Sequence, residues 1–242
     1  MKPRFSLVIP ARNEEALLPR LLDSVDAARR RYAGGPEGIE VIVADNDSTD
    51  ATARIAAARG CRVARVEKRV IAAVRNGGAA VARGEILAFV DADFQIHPDT
   101  FAAIDRALAT GRVVGGATGT TVERWSIGIA VTYVFMMSLV RLLRMNTGVV
   151  FCRREDFEGV GGYDEERLFA EDVKLLWDLR RLGRARGQRL VAWTRAPAIA
   201  STRKFDARGE WHWLVAMVRA PAWLLFSPHR VEGFAREYWY DR

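Results

Sequence analysis

Two aspartates one residue apart follow an apolar run that is typical of a buried strand. In the stretch FVDADFQIHPD, residues 89–99, Asp91 and Asp93 come directly after Val90. If the chain stays extended past Val90, both carboxylates project to one side, where they repel each other unless a cation lies between them. Oxygen ligands favour Mg²⁺ or Mn²⁺, which keep positions open for substrate phosphates, and Gln95 could add a carbonyl ligand. The spacing therefore indicates a cation site for a diphosphate, with a polar turn before a helix as the plainer alternative.

The strand before these aspartates is one of four similar segments. Short apolar runs lie at residues 5–10, 39–45, 61–66 and 85–91, and each is typical of a strand buried on both faces. The segments between them have helical composition and end near glycine. This alternation predicts an α/β fold with right-handed crossovers and a mostly parallel, Rossmann-like central sheet with flanking helices.

Polar residues follow three of these predicted strands. Ligands of such sheets bind outside the carboxyl ends of the strands, and the ends here carry residues 10–14, 45–48 and 91–93. Asp47 and Ser48 have an alternative explanation, because Asp and Ser are favoured N-caps of a following helix. Three polar clusters at one edge nevertheless predict a functional site there.

Composition and charge narrow the class of protein. The 242 residues fit one catalytic α/β domain with a short appendage, and the net charge is +7. Eight Lys or Arg and no Asp or Glu lie between Arg180 and Lys204, so this segment should attract anions. Cys61 and Cys152 are far apart, which argues against a disulfide framework and for a reducing compartment, and the start of the chain does not have the pattern of a signal peptide. We expect a cytoplasmic protein.

The chain resembles glycosyltransferase family 2, a group of GT-A fold enzymes that use nucleotide sugars and are mostly inverting. The resemblance covers about residues 5–185 and rests on the segments SLVIPARNEE, VIVADNDSTDAT, VRNGGAAVARGEILAFVDADF, FCRREDFEGVGGYDEE and AEDVKLLWDLRRLG. DADFQ also looks like the metal-binding run of the polyprenyl-phosphate sugar synthases in this family. The resemblance implies a hexosyltransferase that moves a sugar from a nucleoside-diphosphate sugar to a sugar, small-molecule or lipid-linked acceptor.

The resemblance also implies roles for individual residues. Asp91, Asp93 and Gln95 would hold Mn²⁺ or Mg²⁺, which would offset charge on the departing diphosphate. Asp45 or Asn46 would contact the base, although this chain reads DND where many members have DDG. Arg203 and Lys204 could close over the diphosphate, because Arg forks match phosphate oxygens, with a solvated basic loop as the alternative. The predicted donor-binding residues are Pro10, Arg12, Glu14, Asp45, Asn46, Arg75, Asp91, Ala92 and Arg203.

A carboxylate that could act as the base lies in AEDVKLLWDLRRLG. On a helix, Asp172 shares an arc with apolar residues, whereas Glu171 falls on the polar side. The family places its general base at the position of Asp172, which would take the proton of an attacking hydroxyl. The alternative is a first-turn carboxylate that complements the helix dipole. A lipid-phosphate acceptor is already ionised, and Asp172 would then only position it.

The second half of the chain is less regular and contains two apolar segments. Residues 125–140 form an uncharged run that is slightly short for a membrane span, so a core or interfacial helix is expected. Residues 211–242 mix Trp, Tyr and Arg with aliphatic residues, as in segments that lie at a membrane surface, or in aromatic covers of a sheet or dimer. We expect a GT-A domain over residues 1–202 and a C-terminal amphipathic extension over 203–242, packed on that domain or on the inner face of the cytoplasmic membrane.

Two other functions compete with glycosyl transfer. A nucleotidyltransferase could use the same architecture and metal chemistry, but no glycine-rich activating loop follows the first strand. A non-catalytic basic protein could bind nucleic acid or anionic lipid through residues 180–204, but it would not need paired Asp91 and Asp93. We therefore expect no nucleic-acid partner. His212 is a further candidate that could complete a metal shell.

Overall fold

Strands and helices alternate along the first part of the chain, as the sequence predicts. The structure is a computed structural model that describes residues 2–142, 147–167, 170–191, 194–212 and 214–215. Its strands are β1 (Phe5–Ala11), β2 (Ile39–Asp45), β3 (Arg62–Arg65), β4 (Ile86–Phe89), β5 (Phe94–Gln95), β6 (Val113–Ala117), β7 (Thr120–Val122), β8 (Val150–Arg153), β9 (Arg189–Val191) and β10 (Ala198–Ala200). Its helices are α1 (Leu18–Arg31), α2 (Thr52–Ala58), α3 (Ile71–Ala80), α4 (Thr100–Ala109), α5 (Ile127–Leu142), α6 (Arg154–Gly159), α7 (Glu171–Ala185) and α8 (Arg203–Arg208). The four predicted strands correspond to β1 to β4.

The central sheet has the order β3-β2-β1-β4-β8-β6-β9. β1 pairs in parallel with β2 and β4, β2 with β3, and β6 with β9. β8 runs antiparallel between β4 and β6. A second sheet has the order β5-β10-β7. The predicted α/β class with a mostly parallel sheet is confirmed, and β8 is its antiparallel member.

Both faces of the central sheet are covered, which explains why its inner strands are mostly apolar. Every residue of β1 is buried. Leu7 and Ile9 pack on one face with residues of α1 and α4, while Val8 packs on the other face with residues of α3 and α7. Each fully buried aliphatic side chain of this kind contributes about 1.5–3 kcal/mol. Strand alternation therefore divides β1 between two apolar layers.

A glycine lets α3 approach the sheet closely. A Cβ at Gly78 would collide with the Val8 side chain and lie 3.2 Å from the Ala44 Cβ. Arg75 is one helical turn before Gly78 and is on the same face of α3. The close contact at Gly78 therefore brings the Arg75 side chain towards the strands.

The chain divides into two compact units. The first contains Met1–Thr121 and Asn146–Ala200, and the second contains Val122–Met145 and Ser201–Arg242. In the second unit, Arg124 pairs with Asp206 and with Glu210, the latter at 3.0 Å. The predicted extension over 203–242 lies mostly outside the described residues, so its domain boundary stays a prediction.

The apolar run of the second unit forms α5. Ile127, Val134 and Trp125 are 80%, 63% and 54% exposed, whereas Ile129 is buried. Across the residues that the structure describes, no helix has the length and apolar character needed to cross a membrane. The helix expected over residues 125–140 corresponds to α5.

Candidate active site

The structure brings the three predicted strand ends to one edge of the central sheet. In the parallel register of β1 and β2, Pro10 is opposite Ala44 and Ala11 is opposite Asp45. β4 lies on the other side of β1, and its last residue, Phe89, is opposite Val8. The segments that follow β1, β2 and β4 therefore leave the sheet side by side, as the sequence predicts.

Hydrogen bonds tie the loop after β1 to the loop after β2. Asn13 adopts a φ of +52° and accepts a hydrogen bond from the Thr49 backbone at 2.9 Å, while its own N–H donates to Ser48 Oγ at 3.1 Å. The Glu14 N–H donates to Thr52 Oγ1 at 2.8 Å. Two loops from neighbouring strands thus form one clamped unit that contains the predicted donor residues Arg12 and Glu14.

The capping explanation for Asp47 and Ser48 is wrong. Helix α2 has Ala51 as its N-cap residue, and the N–H of its first residue, Thr52, donates to Asp50 Oδ1 at 2.9 Å, not to Asp47 or Ser48. Ser48 instead accepts the bond from Asn13, and Asp47 pairs with Arg69 at 3.4 Å. The reason is that the loop after β2 continues for several residues before α2 begins at Thr52.

The adjacent residues Asp45 and Asn46 are both buried but differ in their hydrogen bonds. Asn46 Nδ2 donates to the carbonyls of Val66 at 2.6 Å and Lys68 at 3.2 Å, so the Asn46 side chain holds the segment after β3. Asp45 Oδ1 has no hydrogen-bond partner among the described residues. A buried carboxylate oxygen needs a donor, and a ligand N–H can supply one. This contrast favours Asp45 over Asn46 as the residue that contacts a base.

The aspartate pair after β4 lies in a turn. The expectation that the strand stays extended past Val90 is wrong, because β4 ends at Phe89 and the Phe94 N–H donates to the Asp91 carbonyl at 3.1 Å. The turn carries Phe94 and Gln95 into β5, which pairs antiparallel with β10. Ala92 is buried inside this turn. The strand-alternation argument for Asp91 and Asp93 therefore does not apply.

Arg75 connects the two predicted catalytic regions. Its Nη2 donates to Asp91 Oδ1 at 2.7 Å, and its Nη1 donates to Asp172 Oδ1 at 3.0 Å and to Glu171. The Arg75 side chain is only 5% exposed, and its guanidinium lies 5.2 Å from the centre of the Tyr163 ring. Asp91 and Asp172, 81 positions apart, therefore meet on one guanidinium group.

The two carboxylates at the start of α7 do not lie where the helical arc predicts. Glu171, expected on the polar side, is 11% exposed at its side chain, whereas Asp172 is 35% exposed. The reason is that Glu171 is the first residue of α7, where the pairing with the buried Arg75 decides its environment. The helical arc predicted that Asp172 would be the more buried of the two carboxylates, whereas Glu171 is.

The environment of Asp172 raises the pKa of its carboxyl group above the usual value. Burial raises the pKa of Asp172 to about 6, the Glu171 and Asp91 charges raise it further, and the Arg75 charge opposes the shift. Burial also raises the pKa of the Tyr163 phenol well above its usual value, and the Asp172 charge adds to that shift. Asp172 is therefore an ionised carboxylate at neutral pH that is basic enough to take a proton.

Sequence reasoning gave no role to Tyr163 or Asn76. The Asn76 side chain exchanges two hydrogen bonds with the Tyr163 backbone, both at 2.9 Å, and the Tyr163 ring packs edge-on against Phe89 at 5.1 Å. The preceding Gly162 has a φ of +72°, and a Cβ there would lie 2.9 Å from Asn76 Oδ1. In the sequence these residues belong to the pair RN in α3 and to the run GGY before α7. Only the fold shows that these two segments are in contact.

The donor atoms after β4 fit a hard divalent cation. Asp91 and Asp93 supply carboxylate oxygens, Gln95 supplies a carbonyl, and the Asp91 side chain is 43% exposed. Among the described residues, no group of three or more His, Cys, Asp or Glu is arranged to hold a metal ion. The chemistry of these oxygen donors therefore fits Mn²⁺ or Mg²⁺, as part of a ligand set.

Two residues with predicted roles, Arg203 and His212, belong to the second unit. Arg203 is the first residue of α8, and its N–H donates to Ser201 Oγ at 3.2 Å. The Lys204 side chain lies outside the described part of the chain. The predicted roles of Arg203 at the diphosphate and of His212 at the metal stay predictions.

Curated proteins similar to this chain are glycosyltransferases. A 4,4'-diaponeurosporenoate glycosyltransferase of Staphylococcus haemolyticus is 37% identical over 105 residues, which are 38% of this chain and 25% of that protein. A validoxylamine A glucosyltransferase of Streptomyces hygroscopicus subsp. limoneus is 36% identical over 37% of this chain and 20% of that protein. The chain thus spans a quarter or less of the length of these two relatives.

Solved structures with the same fold include enzymes with bound nucleotides. A mannosyltransferase from Pyrobaculum calidifontis in complex with GDP-Man and Mn²⁺ superposes with a TM-score of 0.67, at 21% identity, over 88% of this chain and 60% of that chain. Glucosyl-3-phosphoglycerate synthase of Mycobacterium tuberculosis, with Mn²⁺ and UDP, has a TM-score of 0.57 at 21% identity, over 90% of this chain and 79% of that one. These similarities confirm the GT-A fold that the resemblance implied.

The family profile described as glycosyl transferase family 2 matches residues 6–175, from the first strand of the sheet to the first turn of α7. The matched range includes the clamped loops, the turn after β4, and all three carboxylates that contact Arg75. The sequence resemblance is therefore confirmed, and this chain belongs to glycosyltransferase family 2.

Proposed function

We propose that this chain is a metal-dependent, inverting glycosyltransferase that moves a sugar from a nucleoside-diphosphate sugar to a hydroxyl or lipid-phosphate acceptor. The observation that carries the proposal is that Asp91 and Asp172 both bind the Arg75 guanidinium. The Arg75 side chain thereby holds together a carboxylate that would bind the cation and a carboxylate that is basic enough to accept a proton. Transfer of a sugar away from a diphosphate requires both kinds of group close together.

The clamped loops would bind the nucleoside. Asp45 has a buried carboxylate oxygen with no hydrogen-bond partner in the described part of the chain, and this oxygen would accept a hydrogen bond from a base N–H. Pro10, Arg12 and Glu14 lie in the adjoining segment after β1 and would line the base and ribose pocket. The hydrogen bonds between the two loops would preorganise this pocket before the donor binds.

Asp91, Asp93 and Gln95 would hold Mn²⁺ or Mg²⁺, with Ala92 packed beneath them. The bound ion would supply Lewis-acid stabilisation of the departing diphosphate. The Asp91 and Asp93 carboxylates would fix the ion at the end of β4, next to the nucleoside pocket.

Asp172 would act as the general base towards a hydroxyl acceptor. Because burial raises its pKa to about 6, the carboxylate is ionised at neutral pH and still basic enough to accept the proton as the acceptor oxygen attacks. With a lipid-phosphate acceptor, no proton needs to be removed, and Asp172 would position the acceptor instead. The two acceptor classes therefore differ in how strongly they depend on Asp172.

The relatives support this class of donor. The structural neighbours were solved with GDP-Man and Mn²⁺ and with Mn²⁺ and UDP, and a third, TarS of S. aureus, with UDP-GlcNAc (TM-score 0.60, 19% identity, 83% of this chain and 59% of that one). Two of these three complexes contain a divalent metal. A nucleoside-diphosphate sugar with Mn²⁺ is therefore the first donor to test.

The test is a thermal-shift screen with UDP-, GDP- and TDP-sugars in the presence of Mn²⁺, followed by assays of nucleoside diphosphate release. We expect stabilisation by one nucleotide class and release that depends on the metal. D93A should lose the metal-dependent part of the shift, whereas D47A, which alters a solvent-exposed carboxylate of the neighbouring loop, should keep it. Full metal-dependent turnover by D93A would refute the site.

A second proposal concerns the membrane. The exposed apolar residues of α5 support peripheral contact with lipid at the inner face of the cytoplasmic membrane, because Ile127 and Val134 are 80% and 63% exposed. Co-sedimentation with anionic and neutral vesicles tests this contact. The variant I127E/V134E should lose vesicle binding without a change in its melting temperature, and unchanged binding would refute the proposal.

A further inference from the structure

Arg75 and Glu171 form a supporting layer beneath the proposed reactive groups. The side chains of Arg75 and Glu171 are 5% and 11% exposed, while those of Asp172 and Asp91 are 35% and 43% exposed. Exposure therefore increases from the arginine to the two aspartates that would meet the substrate. The buried pair contacts the reactive carboxylates but is itself screened from solvent.

The charges in this cluster are unequal. One guanidinium binds three carboxylates, so the cluster carries a net charge of −2 when all three are ionised (+1 − 3 = −2). Elsewhere in the same unit, the fully buried Asp156 has the opposite balance, with Arg186 and Arg153 around one carboxylate. Excess negative charge is unfavourable in a partly buried cluster unless a cation offsets it. A divalent cation would neutralise the net charge of −2 on the Arg75 cluster.

The geometry of the guanidinium explains why an arginine is needed. Nη2 binds Asp91, and the separate Nη1 binds Asp172 and Glu171, so one planar group fixes both reactive carboxylates. The guanidinium of Arg75 lies over the ring of Tyr163. Asn76 in turn fixes the Tyr163 backbone by hydrogen bonds. A lysine ammonium would keep the charge but could not span the same two positions.

Resting on the proposed function, we propose that Arg75 and Glu171 are positioning residues. Arg75 sets the distance between the metal-binding carboxylate Asp91 and the base Asp172, and Glu171 shares the Arg75 charge, so that the charge of Asp91 is only partly offset. Arg75 then acts through Asp91 and Asp172 and does not bind the donor directly. This role differs from the direct donor contact that the family resemblance implied for Arg75.

The test uses R75K and E171Q, which preserve size and polarity. R75K should lower kcat about 10- to 100-fold, the usual cost of losing the group that orients a ligand or base. E171Q should weaken Mn²⁺ binding, measured by electron paramagnetic resonance of free Mn²⁺ with the nucleoside diphosphate that stabilises the wild type. The matched control R186K alters an arginine on the buried Asp156 and should leave both quantities unchanged.

A double variant separates positioning from mere stability. If Arg75 acts through Asp172, R75K should cost little further activity in a D172N background, because coupled residues are not additive. Equal losses of kcat in both backgrounds, together with unchanged Mn²⁺ affinity in folded E171Q, would overturn the inference. If R75K does not fold, the Mn²⁺ affinity of E171Q decides alone. A wild type that releases no nucleoside diphosphate would instead refute the proposed function, and the Mn²⁺ titrations would still test the link to Asp91.

Discussion

The nucleoside side and the catalytic side of the candidate site are held together in different ways. On the nucleoside side, hydrogen bonds from backbone N–H groups to side chains join two loops, as between Thr49 and Asn13, which are 36 positions apart. On the catalytic side, ion pairs to one buried arginine join groups 96 and 97 positions apart. The first region is a rigid frame, whereas the second is a set of charges whose balance depends on what binds. We therefore expect variants of the two regions to change different measured quantities.

The largest effect should come from the catalytic side. D172N keeps the size of the side chain but cannot accept a proton, so kcat with a hydroxyl acceptor should fall by about 10²- to 10⁴-fold. The donor KM should change little, because Asp172 is not among the nucleoside-binding residues. Steady-state kinetics with separate determination of kcat and KM checks this. Near-normal kcat with a hydroxyl acceptor would exclude Asp172 as the base, whereas the same result with a phosphate acceptor is expected.

The next effect belongs to the nucleoside side. D45N removes a charged acceptor for the base N–H, so the donor KM should rise by about 10- to 100-fold while kcat is largely kept. N46D is the matched control variant at the neighbouring position. It removes donors from the Val66 and Lys68 carbonyls, so it should lower the melting temperature. If D45N changed kcat and left KM unchanged, Asp45 would not be the base-contacting residue.

The dependence of rate on pH should report the catalytic side alone. Asp172 is active as the deprotonated form, and burial raises its pKa to about 6 in the free protein, so kcat/KM should fall as the pH falls through about 6. Because the Glu171 charge raises this pKa, E171Q should move the acid limb of the profile to lower pH. In D45N the limb should stay where it is in the wild type. A limb shifted in D45N and not in E171Q would contradict the division between the two sides.

The smallest effect should come from the loop clamp. N13A removes the acceptor of the Thr49 N–H and places alanine at a positive φ, which together should destabilise the fold by about 1–3 kcal/mol. N13D keeps an acceptor oxygen and tolerates the backbone conformation, so it should retain most of the stability. Chemical denaturation measures both variants. A larger loss in N13D than in N13A would show that the side-chain bond does not hold the clamp.

The same contrast explains what could be predicted from the sequence. β1 to β4 were predictable because a strand covered on both faces produces a continuous apolar run, and the order of their ends follows from parallel pairing. Asp45, Asp91 and Asp172 were identified by strand ends and by resemblance. These signals are local or are shared with a family.

The failures concern places where a distant residue decides the local structure. The turn after Val90 depends on the pairing of Gln95 with Ile199 in the second sheet, which no local pattern indicates. Glu171 is buried because Arg75 reaches it from α3, so the helical period alone placed it on the wrong face. Ion pairs between residues almost a hundred positions apart have no sequence period, and only the fold brings them together.

The most direct test is anomalous diffraction at the manganese edge from crystals grown with Mn²⁺ and the nucleoside diphosphate selected by the thermal-shift screen. The ion should lie within coordination distance of Asp91 and Asp93, with the diphosphate on its open side and Arg75 still bound to Asp172. An ion bound at another place, or a nucleotide bound with no ion at the end of β4, would contradict the proposed chemistry.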